Sequence, residues 1–171
     1  FRPTFDVQTV LDKEQAIGFR INGAFERADN YRANVSKDRI YVNPSFAWKP
    51  NKKTSVTVEM DYMHDTRTPD RGTVNLAADS VNALYKMPHN NFLGFETDRA
   101  LTNNLTYALR FDRSLSDLFS VRVAYFGSTL DTDNTGASTS TLKNVSKTGL
   151  YNLRSRSLTR STRADNNSAL Q

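Results

Sequence analysis

The chain has 171 residues, 37% of them hydrophobic, a formal net charge of +5 and no cysteine, with a mean hydropathy of −0.61. That length suits one domain with a real core, but no run approaches the ~18 consecutive apolar residues of a transmembrane helix. The lack of cysteine excludes disulfide scaffolds, thiolate metal sites and cysteine nucleophiles. The positive excess is local: residues 134–164 carry Lys143, Lys147, Arg154, Arg156, Arg160 and Arg163, and no acid. The chain starts at Phe1 rather than Met and opens without a signal peptide, so it reads as an excerpt or processed piece of something longer.

In chain order, Phe5, Val7, Thr9 and Leu11 alternate with Asp6, Gln8 and Val10, a modest first strand closed by the polar turn Asp12-Lys13-Glu14-Gln15. A second strand places Ile17, Phe19, Ile21, Gly23 and Phe25 on one face and Gly18, Arg20, Asn22, Ala24 and Glu26 on the other. Residues 27–38 read as a polar loop. The third strand alternates without a miss, Ile40, Val42, Pro44, Phe46 and Trp48 against Arg39, Tyr41, Asn43, Ser45 and Ala47. The Lys49-Pro50-Asn51-Lys52-Lys53 segment is turn chemistry. A fourth strand sets Val56, Val58, Met60, Tyr62 and His64 against Ser55, Thr57, Glu59, Asp61, Met63 and Asp65.

Residues 66–102 show little periodicity and contain Pro69, Gly72, Pro88 and Gly94, which predicts a long loop. Alternation resumes with Leu105, Tyr107, Leu109 and Phe111. A short turn over 113–117 follows, and then Phe119, Val121, Val123 and Tyr125. Residues 128–147 read as a Thr/Asn/Ser/Asp-rich loop. A last strand is predicted over roughly 149–162, with Asp165-Asn166-Asn167-Ser168 as its terminating turn.

Each alternating run is ~9–11 residues long, the length a tilted strand needs to cross a bilayer. The predicted connections sort into short and long by turns, as in outer-membrane barrels with tight periplasmic turns and long extracellular loops. Trp48, Phe111 and Phe119 lie by short turns, while Phe25, Tyr62, Tyr107 and Tyr125 lie toward long ones. Two aromatic girdles around an aliphatic band are how a barrel meets two lipid–water interfaces. The fold class that follows is all-β: an antiparallel up-and-down meander forming part of a transmembrane β-barrel. The rival reading is a soluble, secreted all-β binding module, an adhesin or lectin-like sandwich, whose alternating strands would bury their apolar faces against each other.

Several segments resemble the TonB-dependent siderophore receptors. Phe19-Arg20-Ile21-Asn22-Gly23-Ala24 is similar to their early barrel strands, as is Tyr41-Val42-Asn43-Pro44-Ser45-Phe46-Ala47-Trp48-Lys49-Pro50 followed by Thr54-Ser55-Val56-Thr57-Val58. Pro69-Asp70-Arg71-Gly72 and Met87-Pro88-His89-Asn90-Asn91-Phe92-Leu93-Gly94 resemble segments that follow the fourth strand, and Arg156-Ser157-Leu158-Thr159-Arg160 resembles a later strand. The resemblance implies an outer-membrane location in a Gram-negative bacterium and a ferric siderophore or similar chelate as ligand. It also implies a plug domain and periplasmic TonB as partners, beside outer-membrane lipid, and no cofactor. About seven of about 22 strands would then lie in residues 1–171, a partial barrel domain without the plug.

The wet faces carry Arg20, Glu26, Arg39, Glu59, Asp61, Arg110, Asp112 and Arg122, expected to pair across neighbouring strands as a lumen network. For ligand binding the resemblance points to aromatics and arginines at the extracellular mouth: Tyr31, Tyr85, Phe92 and Phe95 in loops, and Arg39 and Tyr41 near the rim. Flat chelates stack on such rings and arginines take up negative charge. A metal site from His64, Asp61, Asp65 and His89 is disfavoured because alternation puts His64 opposite the two aspartates. Glu59 and Asp61 share a face without a nucleophile beside them, so catalysis is not expected. The basic tail has only Tyr151 to stack on a base, so nucleic acid is not an expected partner.

Overall fold

The structure is a computed structural model that describes residues 1–14, 16–70, 89–139 and 156–171, without the side chains of 138–139 and 156–158. Seven strands run in sequence order through one antiparallel sheet: β1 (Thr4–Val10), β2 (Ile17–Asp29), β3 (Ser36–Asn51), β4 (Thr54–Arg67), β5 (Arg99–Ser114), β6 (Ser120–Thr139) and β7 (Arg156–Leu170). Every ladder joins chain neighbours, so the all-β meander expected from alternation is the fold.

The turns at one end are tight for readable reasons. Asp12 accepts from the backbone N–H groups of Ala16 (3.0 Å) and Ile17 (2.8 Å), closing β1 onto β2. Asn51 pairs with Thr54, and its side chain accepts from Lys53 N at 2.9 Å, which leaves only Lys52 and Lys53 between β3 and β4. The Ser116 hydroxyl accepts from the N–H groups of Leu118 and Phe119 between β5 and β6.

The strands outrun their apolar patterns, and four expectations are corrected. The predicted 27–38 loop is mostly ladder, with Arg27 opposite Asp38 and Asp29 opposite Ser36. Residues 11–16 and 30–35 are consequently of equal length, and the first two connections are not sorted short and long. β5 begins at Arg99, inside the predicted 66–102 loop. β6 continues to Thr139 through residues read as loop. Asp165-Asn166-Asn167-Ser168 is not a turn but the middle of β7, paired with residues 127–130. In each case backbone pairing persists where side chains are polar on both faces, because a ladder needs N–H and C=O groups rather than apolar ones. Residues 149–155 of the predicted last strand, with Arg154, lie outside the described residues.

One face of the sheet is polar and stitched. Arg20 binds Asp6 through two hydrogen bonds (2.9 and 2.6 Å), Lys37 meets Glu26 at 2.7 Å, and Arg122 meets Asp112 at 2.5 Å. Arg39 reaches Asp65 with Nε at 2.7 Å and lies 3.9 Å from Glu26. The expected network therefore forms between adjacent strands, although among the described residues Glu59 and Arg110 make no ion pair in it. Pro44 has no N–H to give to β4. Asn43 Nδ2 supplies a donor there, reaching the Met60 carbonyl at 3.0 Å while also donating to Asp61 at 2.7 Å.

The other face is apolar and bare. Among the described residues only Leu93, Ala124 and Ala137 are buried apolar side chains, whereas Phe25, Ile40, Trp48, Val58, Met60, Tyr62, Leu109, Val121, Val123 and Tyr125 stay exposed. The band is not perpendicular to the strands. In β3 its last apolar residue is Ile40, whose row continues through His64 and Asn103 to Asp131. In β4 and β5 the band ends one pair lower, at Tyr62 and Leu105, and in β6 at Tyr125, six residues below Asp131. At ~3.3 Å per residue and ~4.8 Å per strand, that fall over three strand spacings is a slope on the order of 50°. This is close to the ~45° tilt of a membrane-spanning strand. A level slab of lipid across tilted strands produces this oblique stripe.

Two outward glycines sit beneath aromatic rings, Gly23 under Phe5 and Gly127 under Tyr107. A Cβ at Gly23 would lie 2.6 Å from the Tyr41 carbonyl oxygen and 2.7 Å from the Phe5 ring, whereas one at Gly18 meets nothing within 4 Å. Gly23→Ala is therefore expected to cost about 1–3 kcal/mol through overpacking against backbone, and Gly18→Ala close to nothing. Thermal or denaturant unfolding of the detergent-solubilised full-length protein compares the two; equal midpoints would contradict the packing described.

Candidate functional site

At the end of the sheet opposite the tight turns, three connections meet. In residues 30–35, Asn34 takes a left-handed conformation (φ 63°) that asparagine tolerates. Tyr31 and Arg32 project there: Arg32 Nε donates to the Tyr31 hydroxyl at 3.1 Å, and its guanidinium lies 5.5 Å from the Tyr31 ring centroid. Arg32 Nη1 also binds Asp70, beyond β4, at 2.8 Å. Residues 89–98 approach from the third side, with His89 tilted against Tyr31 at 6.4 Å and the Asn90 carbonyl accepting from Ala33 N at 3.1 Å.

Asp98 anchors the 89–98 segment. Its Oδ2 accepts from Phe95 N (3.1 Å) and from Ala137 N of β6 (3.0 Å), while Oδ1, buried, has no hydrogen-bond partner. The Phe92 ring and the Asp98 carboxylate occupy the space a Cβ on Gly94 would need, so a larger residue there would have to displace them. Next to this cluster an open cavity of about 540 Å³ is lined by Arg67, Asp70, Asn134, Gly136, Thr159 and Ser161, among others. Its size falls within the ~300–1,000 Å³ of small-molecule sites. Its lining mixes one cation, one carboxylate and several neutral polar groups.

The predicted ligand residues are distributed over this end rather than gathered. Arg39 and Tyr41 are neighbours on the polar face of β3, Arg39 held by Asp65 and Tyr41 donating to Asp61 at 2.5 Å. Phe92 and Phe95 lie half-buried in the 89–98 segment, and Tyr31 is 64% exposed. Tyr85 lies outside the described residues. Sequence reading missed Arg32, Arg67 and Asp98. For Arg32 the adjacent aromatic was a usable signal, whereas the other two become visible only when β4, β5 and β6 are set side by side. His64 is on the apolar face, hydrogen-bonded to Asn103 (2.6 Å) and near the Thr66 hydroxyl (3.3 Å), away from Asp61 and Asp65. Among the described residues no group of three His, Asp or Glu side chains is placed to hold a metal ion.

This geometry has relatives. The metal-pseudopaline receptor CntO of Pseudomonas aeruginosa (strain UCBPP-PA14) is 32% identical over 125 residues, 72% of this chain and 17% of its own length. The ferrichrome outer membrane transporter/phage receptor of Escherichia coli K12 is 23% identical over 128 residues, again 71% of this chain and 17% of its own. This chain is related to the TonB-dependent siderophore receptors. Among solved structures, the ferric-catecholate import receptor Fiu of E. coli K12 superposes with a TM-score of 0.67 at 20% identity, over 98% of this chain and 27% of that one. BauA, the ferric preacinetobactin receptor of Acinetobacter baumannii, gives 0.62 at 21%, over 83% and 21%. No family model matches the sequence. The chain spans about a sixth of the length of the curated receptors it matches.

The location is the outer membrane, and in such receptor barrels the tight turns are periplasmic and the long loops extracellular. The three-way cluster and its cavity lie at the end of the sheet away from the tight turns, and the network of Arg20, Arg39 and Arg122 lies on its polar face. Above the apolar band β6 and β7 are clipped by Arg160, which binds both oxygens of Asp133 (3.1 and 2.7 Å). That hydrogen bond, with the guanidinium charge, holds the Asp133 carboxyl below its ordinary value near 3.8. A depressed carboxylate stabilises the fold above that ordinary value, and the contribution is lost as pH falls through the folded value. Amide protection at the outer end of β6–β7, referenced to the intrinsic exchange rate at each pH, is expected to fall below about pH 4, and Asp133→Asn to remove that acid-dependent part. Protection factors unchanged between about pH 5 and about pH 2.5, at roughly constant salt, would count against the clip.

Proposed function

We propose that residues 1–171 are a partial barrel domain of a receptor that imports a metal chelate of the siderophore class across the outer membrane. The ligand is bound at the extracellular mouth. The observation that carries this reading is the 32% identity to a metal-chelate receptor over 125 residues, on strands whose bare apolar face and oblique band suit lipid. The open edges of β1 and β7 would be paired by further strands, since lipid cannot satisfy a free edge. A plug filling the lumen and periplasmic TonB complete the transporter. No cofactor or covalent chemistry is required of the wall, and it is not an enzyme.

Tyr31, Phe92 and Phe95 offer ring surfaces, and Arg32 and Arg67 offer charge beside the cavity. Tyr85 is proposed with them from the sequence resemblance. Arg39 and Tyr41 sit deeper, on the lumen face, where they would meet a ligand on its way in. The soluble sandwich is disfavoured because no second layer covers the exposed outward face among the described residues.

The test uses the full-length gene in an outer-membrane host lacking its own siderophore receptors. Iron-limited growth is measured with ferrichrome, a ferric catecholate and a metal–pseudopaline chelate, the ligands named for its relatives. At least one is expected to restore growth and to bind the purified receptor. The double variant Arg32→Ala/Arg67→Ala is expected to weaken that binding by about tenfold or more, the scale of a lost charge-assisted hydrogen bond. A receptor that reaches the outer membrane yet binds none of the three and restores no growth overturns the proposal.

A further inference from the structure

The rim between the β3–β4 and β5–β6 turns sets several unpaired cations beside exposed apolar side chains. The two turns are tied together by Ser114 N donating to the Lys53 carbonyl at 2.8 Å. Around this joint stand Lys49, Lys52, Lys53 and Arg113, and among the described residues none of the four has a carboxylate within ion-pair reach. They border an open groove of about 710 Å³ that opens mainly on the polar face; its one carboxylate, Asp112, is already held by Arg122, which leaves the charge of Arg113, Lys52 and Lys53 unanswered at the rim. Asp117 is the single acid in either turn.

Beside the cations the chain exposes large apolar side chains that a water-facing turn has no reason to carry. Leu118 is 88% exposed, Phe119 69% and Leu115 59%. Register fixes where the charge sits relative to them. Arg113 pairs with Thr54 on one side and Val121 on the other, and it follows Phe111 on the same outward face. Arg113 therefore stands on the outward face at the lower border of the lipid band, level with Thr54 and Val121 and one outward position beyond the row of Trp48, Val56, Phe111 and Val123. A cation held there by a strand, with lysines on the adjoining turn and bare apolar side chains around it, matches a molecule that is anionic at one end and oily at the other.

We propose that this corner binds an anionic phospholipid of the inner leaflet. Its phosphate would sit against Arg113, Lys52 and Lys53, and its acyl chains would lie along Trp48, Phe111, Phe119 and Val121. The site rests on the outer-membrane placement but is independent of the imported chelate, so the growth assay above can fail while this site stands.

The experiment uses the full-length receptor in mixed micelles offering phosphatidylglycerol and phosphatidylethanolamine of identical chains, with retained lipid read by native mass spectrometry. Both lipids carry a phosphate, but only the first has net charge. The wild type is expected to retain phosphatidylglycerol in preference, and Lys52→Gln/Lys53→Gln/Arg113→Gln to lose that preference by roughly fivefold for each cation removed. Lys13→Gln, at the β1–β2 turn, should leave it intact. If the triple variant does not fold, Lys52→Gln/Lys53→Gln, confined to the turn tip, gives the same reading. Equal retention of the two lipids by the wild type, or an unchanged preference in the folded variants, overturns the proposal.

Discussion

Everything in this sheet follows from an apolar face that no other part of the described chain covers. In a soluble domain, side chains such as Ile40, Phe46 and Leu109 would be driven under a second layer. Here the layer is lipid, and lipid offers no partner to a backbone N–H or C=O. Each strand must therefore find its partners in the next strand along the whole apolar band. That requirement explains the uninterrupted antiparallel order, the long ladders and the near absence of buried apolar side chains. It also explains why Pro44 is tolerated only with help: the Asn43 amide supplies the donor that proline removes.

The opposite face solves a complementary problem. Inward side chains cannot be apolar without inviting the sheet to collapse on itself, and isolated charges at membrane depth would be costly. The chain pairs them between adjacent strands: Asp6 with Arg20, Glu26 with Lys37, Asp65 with Arg39, and Asp112 with Arg122. Between these pairs a hydrogen-bonded relay from Asn22 through Asn43 to Asp61 and Tyr41 crosses β2, β3 and β4. Register is thereby specified twice, by lipid on one side and by matched partners on the other. A one-residue slip would break both at once.

Alternation made the apolar parts of β2 to β6 legible, and with them the assignment of Trp48 to the border and of Tyr41 to the polar face. It was silent where a strand leaves lipid. Thr129, Asp131 and Asp133 point outward like Tyr125, but into water, so the period of two carries no hydropathy contrast and β6 looked like loop. The same blindness hid the outer ends of β2 and β3 and turned Asp165–Ser168 into an imagined turn. The mouth was less legible still. Aromatic residues in loops pointed to the end of the sheet opposite the tight turns, but Arg32 acquires its meaning from Asp70 and Asp98 from Ala137, 38 and 39 residues distant along the chain.

The outward extension of β6 and β7 beyond the apolar band alters how a ligand would be received. A mouth built of free loops must surrender conformational freedom each time it closes on a guest. A mouth backed by hydrogen-bonded strands has already given that freedom up during folding. The wall on the β6–β7 side would then act as a fixed jamb to which the 89–98 segment is fastened through Asp98 and Ala137. A guest meeting that jamb would find part of the ordering cost already met in folding.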